Sequence, residues 1–218
     1  MKLFLAIFTL ILCGCVASDR ELLSSLSEAS ECCTSYDQIA YQKFDSNNEI
    51  DLSIDMEKPA FKFARGKAYF QAIELSGDNR AFQVKSFFKG SSIRRYASPV
   101  VLELDANYQV LAQKEPKLHF VQLIRSQDSF MTGVVQLADE TKYVIIYPSN
   151  DAKNTPVAAY KAELSTDTDM GVVPAIMKTY RLTKIPVGKV SLIPLDEDAC
   201  GVCEPTTNNQ YTTDISKL

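Results

Sequence analysis

The chain has 218 residues, of which 46% are hydrophobic, 10% aromatic and 23% charged, too apolar and too nearly neutral a composition for a disordered protein. A net charge of −4 and an isoelectric point near 5.1 leave no basic footprint of the kind nucleic acid recognition needs. A single histidine excludes metal centres built on several imidazoles, and tryptophan is absent.

The N-terminus reads as an address. Met1-Lys2 supplies a positive charge and Leu3 to Leu12 an apolar core, the pattern of a secretory signal. The apolar run at 3–16 is too short to span a bilayer as a mature helix. Leu12-Cys13-Gly14-Cys15 resembles a bacterial lipobox. The resemblance implies a diacylglycerol thioether on Cys15, cleavage before it and N-acylation of the new terminus, so that residues 1–14 are a signal peptide. Acyl chains anchor firmly, since each buried CH₂ contributes about 0.8 kcal/mol. Val16 instead of Asp after the lipidated cysteine points to the periplasmic side of the outer membrane.

Residues 15–58 read as a lipidated tether and N-terminal segment. Leu22, Leu23 and Leu26 have helical spacing with Asp19 as the cap, and Asn47-Asn48 marks a turn. From Pro59 the period becomes two. Phe61 and Phe63 alternate, 67–75 follows, and Ser76-Gly77-Asp78-Asn79 turns into Phe82, Val84 and Phe88. Residues 100–112 form a hairpin about Asp105-Ala106-Asn107; 117–124, 130–138, 143–147 and 187–195 are further strands. Pro156 near the first turn predicts a short helix around residue 160, and 165–175 is Thr/Asp-rich and reads as flexible. The expected fold is mainly β: an antiparallel β-sandwich over 59–195, jelly-roll or Ig-like, with short helices near the N-terminus and around residue 160. A polar tail, 196–218, carries a C-x-x-C.

With Cys13 removed and Cys15 lipidated, Cys32, Cys33, Cys200 and Cys203 remain. An even count in an oxidising compartment reads as disulfides. Pairing Cys32 with Cys33 closes an eight-membered ring. The favoured pairings are therefore bridges between the two ends, or a local Cys200–Cys203 bridge. End-to-end bridges would close loops of well over 100 residues, each contributing about 4–5 kcal/mol in the chain-entropy model. Cys200-Gly201-Val202-Cys203 also has thiol-exchange spacing, but Asp196-Glu197-Asp198 lies just before it, and carboxylates raise a thiol pKa. A Cys₄ zinc site would need a second spaced pair, which adjacent Cys32-Cys33 does not supply.

Catalytic signatures are missing. His119 points away from Phe120 by strand alternation and reads as an ordinary strand histidine. The sequence has no G-x-S-x-G, P-loop or H-E-x-x-H. Glu103 with Asp105, and Asp139 with Glu140, are carboxylate pairs beside turns, where turn chemistry accounts for them. Arg94-Arg95-Tyr96 is the tightest cationic-aromatic cluster. Tyr143 and Tyr147 share a strand face with Ile145, opposite Val144 and Ile146. They form an outer aromatic stripe for a sugar if Val144 and Ile146 face the core, and are core residues otherwise. Tyr96, Tyr143 and Tyr147 are the candidate ligand residues; no metal and no cofactor beyond the covalent lipid is expected.

Three blocks resemble a known family: Gly66-Lys67-Ala68-Tyr69-Phe70, Ser98-Pro99-Val100-Val101-Leu102-Glu103-Leu104-Asp105 and Lys142-Tyr143-Val144-Ile145-Ile146-Tyr147. So do Ala159-Tyr160, Pro186-Val187-Gly188-Lys189-Val190 and the Cys32-Cys33-x-Ser-Tyr opening. Together they are similar to the maltose-operon periplasmic protein (MalM) family over roughly residues 30–195. The signature P-x-V-x-x-L-D is met at 99–105. The resemblance implies a non-enzymatic envelope lipoprotein accessory to carbohydrate transport, with maltodextrin or maltose-uptake components as partners. The chain departs from the family by ending in a C-x-x-C tail where enterobacterial members carry a longer helical part. A structural or assembly lipoprotein working through protein contacts is the second reading. A thiol–disulfide redox protein using Cys200 and Cys203 is the third.

Overall fold

The computed structural model describes residues 18–89, 94–122, 129–149, 159–163, 176–180 and 182–195. It is mainly β. Its strands are β1 (Gln42–Asp45), β2 (Ile50–Ile54), β3 (Ala60–Phe63), β4 (Gly66–Tyr69), β5 (Gln71–Ser76), β6 (Ala81–Phe87), β7 (Arg94–Tyr96) and β8 (Pro99–Leu104). They continue with β9 (Val110–Lys114), β10 (His119–Gln122), β11 (Ser129–Gln136), β12 (Tyr143–Pro148), β13 (Ala159–Glu163), β14 (Ile176–Tyr180), β15 (Leu182–Lys184) and β16 (Gly188–Pro194).

Two five-stranded sheets dominate. The first has the order β1-β5-β12-β8-β9 and the second β10-β11-β6-β16-β2. All neighbours within them are antiparallel except β1 and β5, which run parallel. The period-two pattern dictates how they meet. Val144 and Ile146 of β12, Ile73 and Leu75 of β5 and Val101 of β8 enter one buried cluster with Val84, Val190, Leu192 and Leu52 of the second sheet. Phe44 and Phe82 touch across this interface, ring centres 6.2 Å apart. Each fully buried apolar side chain here contributes about 1.5–3 kcal/mol.

The first sheet is buried on its other face as well. Val100, Leu102, Leu104, Ile145 and Tyr147 pack beneath the β3–β4 hairpin with Phe61, Phe63 and Phe70. All six residues of β8 are consequently buried, which explains its near-continuous apolar run, interrupted only by the buried carboxylate of Glu103.

Helix α1 (Asp19–Glu28) inserts Leu22 and Leu26 into the inter-sheet core. Ser18, not Asp19, caps it: Ser18 Oγ accepts from the Glu21 N–H and Glu21 returns a bond to the Ser18 N–H, a reciprocal capping box. Asp19 is thereby free to pair with Arg95, at 3.1 Å.

Other expectations are corrected. Residues 159–163 are not a helix but a strand, β13, paired antiparallel with β14. Five residues are too few to nucleate a helix alone, and a ladder partner satisfies their backbone instead. The stretch ending at residue 58 is more than a tether, since β1 and β2 in it are edge strands of the two sheets. The expected strand 67–75 is broken at Phe70, where the hairpin strand β4 hands over to β5. The expected signal peptide, Cys15, the flexible 165–175 segment and the C-x-x-C tail lie outside the described residues.

Candidate functional site

The most unusual backbone position carries an aromatic side chain. Tyr108 has φ of 60°, the one positive φ of a non-glycine among the described residues. A bulky side chain in the left-handed region is an outlier. The turn imposes it: Asp105 Oδ1 accepts from the N–H groups of Asn107 and Gln109, both at 2.8 Å, and Asp105 O accepts from the Tyr108 N–H at 3.1 Å. The consequence is a stack. The Tyr108 ring lies 4.6 Å from that of Tyr143, nearly parallel at 12°. Tyr41 completes the group, 4.6 Å from Tyr143 and 5.9 Å from Tyr108. All three are partly exposed.

Two of the hydroxyl groups, those of Tyr41 and Tyr143, are held protonated. A hydrogen bond to Tyr108, followed by burial, pushes Tyr143 up to about 12. Burial and the neighbouring phenols push Tyr41 up strongly as well. The Tyr41 hydroxyl donates to Tyr36 O at 2.9 Å. The cluster therefore offers π faces and hydroxyls, the groups that recognise a sugar ring and its hydroxyls, with the carboxylates of Glu74 and Asp37 close by.

The three candidate tyrosines separate. Strand alternation holds as expected: Val144 and Ile146 face the inter-sheet core, and Tyr143, Ile145 and Tyr147 face the other way. The outer stripe is nonetheless covered at one end. Tyr147 is 2% exposed, stacked on Phe63 with ring centres 3.9 Å apart and planes within 1°. Tyr96 is also buried, packed with Met131 and Leu182. Only Tyr143 remains accessible of the three. Tyr41, which sequence reasoning missed, reaches it because β1 adds in parallel to β5.

Tyr96 does border an open cleft of about 430 Å³, lined also by Ser98, Glu115, Leu118, Met131 and Lys184. Its carboxylate is already engaged, with Arg65 at 3.0 Å and Lys184 at 3.4 Å. Burial, then Glu115, raises the Tyr96 phenol.

The remaining candidates have structural roles or lie elsewhere. Glu103 is fully buried and paired with Lys114, so Glu103 and Asp105 do not face one another across an open site. Asp105 Oδ1 is occupied by its turn. His119 is exposed on β10 while Phe120 packs inward, as alternation predicted. Among the described residues no three His, Cys, Asp or Glu converge to hold a metal.

Cys32 is bonded to Cys33, the pairing the sequence argument disfavoured. Ring closure asks only that two neighbouring thiols meet, and the backbone is pinned where they do. Cys32 N–H donates to Ala60 O at 3.0 Å, and Ala60 N–H to Ser30 O at 3.2 Å. Cys33 packs against the aromatic cluster beneath the hairpin. Both thiols of this pair are thus withdrawn from any bridge to Cys200 or Cys203, which lie outside the described residues.

No family model, no curated protein and no solved structure matches this chain.

Proposed function

We propose that this chain is a non-catalytic lipoprotein of the bacterial envelope, held on the periplasmic side of the outer membrane by Cys15. In this reading it assists maltodextrin uptake by binding glycan at Tyr41, Tyr108 and Tyr143. The lipobox at 12–15 and the family-like blocks around 99–105 and 142–147 support the setting. The observation that carries the site is Tyr108 in the left-handed region. Asn or Gly fills such a position without strain, whereas a tyrosine costs about 1–3 kcal/mol there. What the strain secures is a ring stacked on Tyr143.

Calorimetric titration of the full chain in detergent with a maltodextrin series tests this. Saturable binding that strengthens with chain length is expected, and Tyr108→Gly, which relaxes the backbone while deleting the ring, weakens it about tenfold, the loss of about 1.4 kcal/mol of stacking. No heat at millimolar sugar overturns glycan binding.

One observation favours the second reading, docking of a partner protein. Strand β9 is an edge of the first sheet and exposes Val110 and Leu111, an apolar edge of the kind another strand can join. Retention of a maltose-uptake component by the native chain, lost on Leu111→Lys, is the expected outcome of that reading.

A further inference from the structure

We propose that the molecule stands on the bilayer on one end of its sandwich, the end bearing Met56, Phe87, Phe88, Lys89 and Lys189, with its strands upright and the tyrosine cluster at the opposite pole. This rests on the lipidation of Cys15 and names the surface that the anchor brings into contact.

The tether is short. Only Val16 and Ala17 separate Cys15 from Ser18, so three residue steps give a reach of about 11 Å at full extension. Ser18 starts α1, and the first helical residue, Asp19, pairs with Arg95 at 3.1 Å. Arg95 O in turn accepts from the Lys89 N–H at 2.7 Å. The described chain therefore begins, at Ser18, beside the end of β6, which finishes at Phe87 and is followed by Phe88 and Lys89.

That end is built for an interface between oil and water. A groove of about 250 Å³ opens there between Met56, Phe87, Phe88, Val187, Lys89 and Lys189. Met56 is 45% exposed. The Lys189 ammonium lies 5.1 Å from the centre of the Phe87 ring and 2.7 Å from Asp51. Lys89 is exposed at the groove rim. Apolar bodies interleaved with lysine stems suit the headgroup boundary, where side chains such as Met and Phe sink and ammonium groups meet phosphate. Asp55 also lines the groove but turns Oδ1 onto the Glu57 N–H.

Strand direction sets the other pole. β8 begins at Pro99, four residues after Arg95, and runs away from this end to Leu104; the turn then presents Tyr108. Six strand residues cover about 20 Å. The tyrosines thus project into the periplasm while the groove meets phospholipid.

The absence of tryptophan makes the test direct. Met56→Trp and, separately, Lys89→Trp and Leu111→Trp are introduced into the lipidated full chain. Each is reconstituted into vesicles of phosphatidylethanolamine and phosphatidylglycerol doped with brominated phosphatidylcholine. All three sites are exposed and tolerate the larger ring. Emission from Met56→Trp and Lys89→Trp is expected to shift to the blue and fall by about half, with Leu111→Trp unchanged, because interfacial side chains sink about 5–10 Å into the headgroup–acyl boundary, where acyl-chain bromine quenches them. Protein that floats with the vesicles but is unquenched at Met56→Trp and Lys89→Trp, or equally quenched at Leu111→Trp, overturns the orientation and leaves the anchor standing. Protein that does not float with the vesicles overturns the anchor, and the orientation with it.

Discussion

Lys114 Nζ lies 2.6 Å from Glu103 Oε1, and the carboxylate is wholly buried while the lysine reaches it from the exposed edge of the sheet. The other oxygen of Glu103 accepts from the Ala138 N–H at 2.8 Å and from Thr141 Oγ1 at 3.0 Å. Lys114 also donates to Gln136 O at 2.5 Å. One carboxylate thus ties β8 and β9 to the loop that carries the chain from β11 in the second sheet to β12 in the first.

Removing either partner strands the other. Glu103→Ala and Lys114→Met are each expected to lower stability by about 3–5 kcal/mol, the cost of an uncompensated buried charge or of its orphaned donors. Urea denaturation monitored by tyrosine fluorescence measures this. A midpoint unmoved in both variants would show that the pair does not hold the loop.

Tyr147 illustrates the opposite case. Its ring is stacked on Phe63, but its buried hydroxyl has no hydrogen-bond partner among the described residues. Tyr147→Phe is therefore expected to be neutral or stabilising by about 1 kcal/mol, whereas Tyr147→Ala costs about 3–5 kcal/mol through the cavity it leaves. Thermal melts of the two variants decide the matter, and a marked loss of stability in Tyr147→Phe would mean the hydroxyl is bonded in solution.

The same residue sets an alkaline limit. Burial, its largest influence, pushes the Tyr147 phenol up to about 12, against the lowering effect of nearby Arg65. An unfolded tyrosine titrates near 10, so the folded state holds this proton more tightly. The contribution is complete below about pH 10 and is lost as pH rises towards about 12; a two-unit difference is worth about 2.7 kcal/mol. Melting temperature is expected to fall across that window, and to fall less in Tyr147→Phe.

The Cys32–Cys33 bond closes no chain loop beyond one peptide unit. Its stabilisation is accordingly small, and Cys32→Ser is expected to change stability by less than about 1 kcal/mol in non-reducing buffer, against about 4–5 kcal/mol for an end-to-end bridge. Calorimetric melting separates these values directly.

Much of the sandwich was legible because its central strands have little choice of conformation. β8 and β12 are largely apolar and β-branched, β8 leads into the turn Asp105-Ala106-Asn107 and β12 follows Asp139-Glu140, and both strands fall where the sequence reading put them. β1 and β2 were not legible. β1 is short and polar with one buried position, so periodicity has almost nothing to report there; β2 does alternate Ile50, Leu52 and Ile54, but over five residues, a signal easily passed over in a stretch read as a tether. The tyrosine cluster was half visible for a related reason. Tyr143 sits in a strong strand, but Tyr41 arrives through a parallel pairing with no local signal, and Tyr108 adopts a backbone conformation that local preference would assign to its neighbour Asn107.

The strand order of the second sheet has a consequence for biogenesis. β16 is synthesised after every other strand of this sheet, yet it lies between β6 and β2, and β2 has no other partner among the described strands of the sheet. Until residues 188–194 have emerged, an early strand waits alone and a central one offers a bare edge. Long-range closure of this kind is slow and exposes aggregation-prone edges in the interim. A nascent chain paused before Gly188 cannot complete this sheet, so its closure waits for residues 188–194 to join β6 and β2 whatever the rest of the chain has already formed.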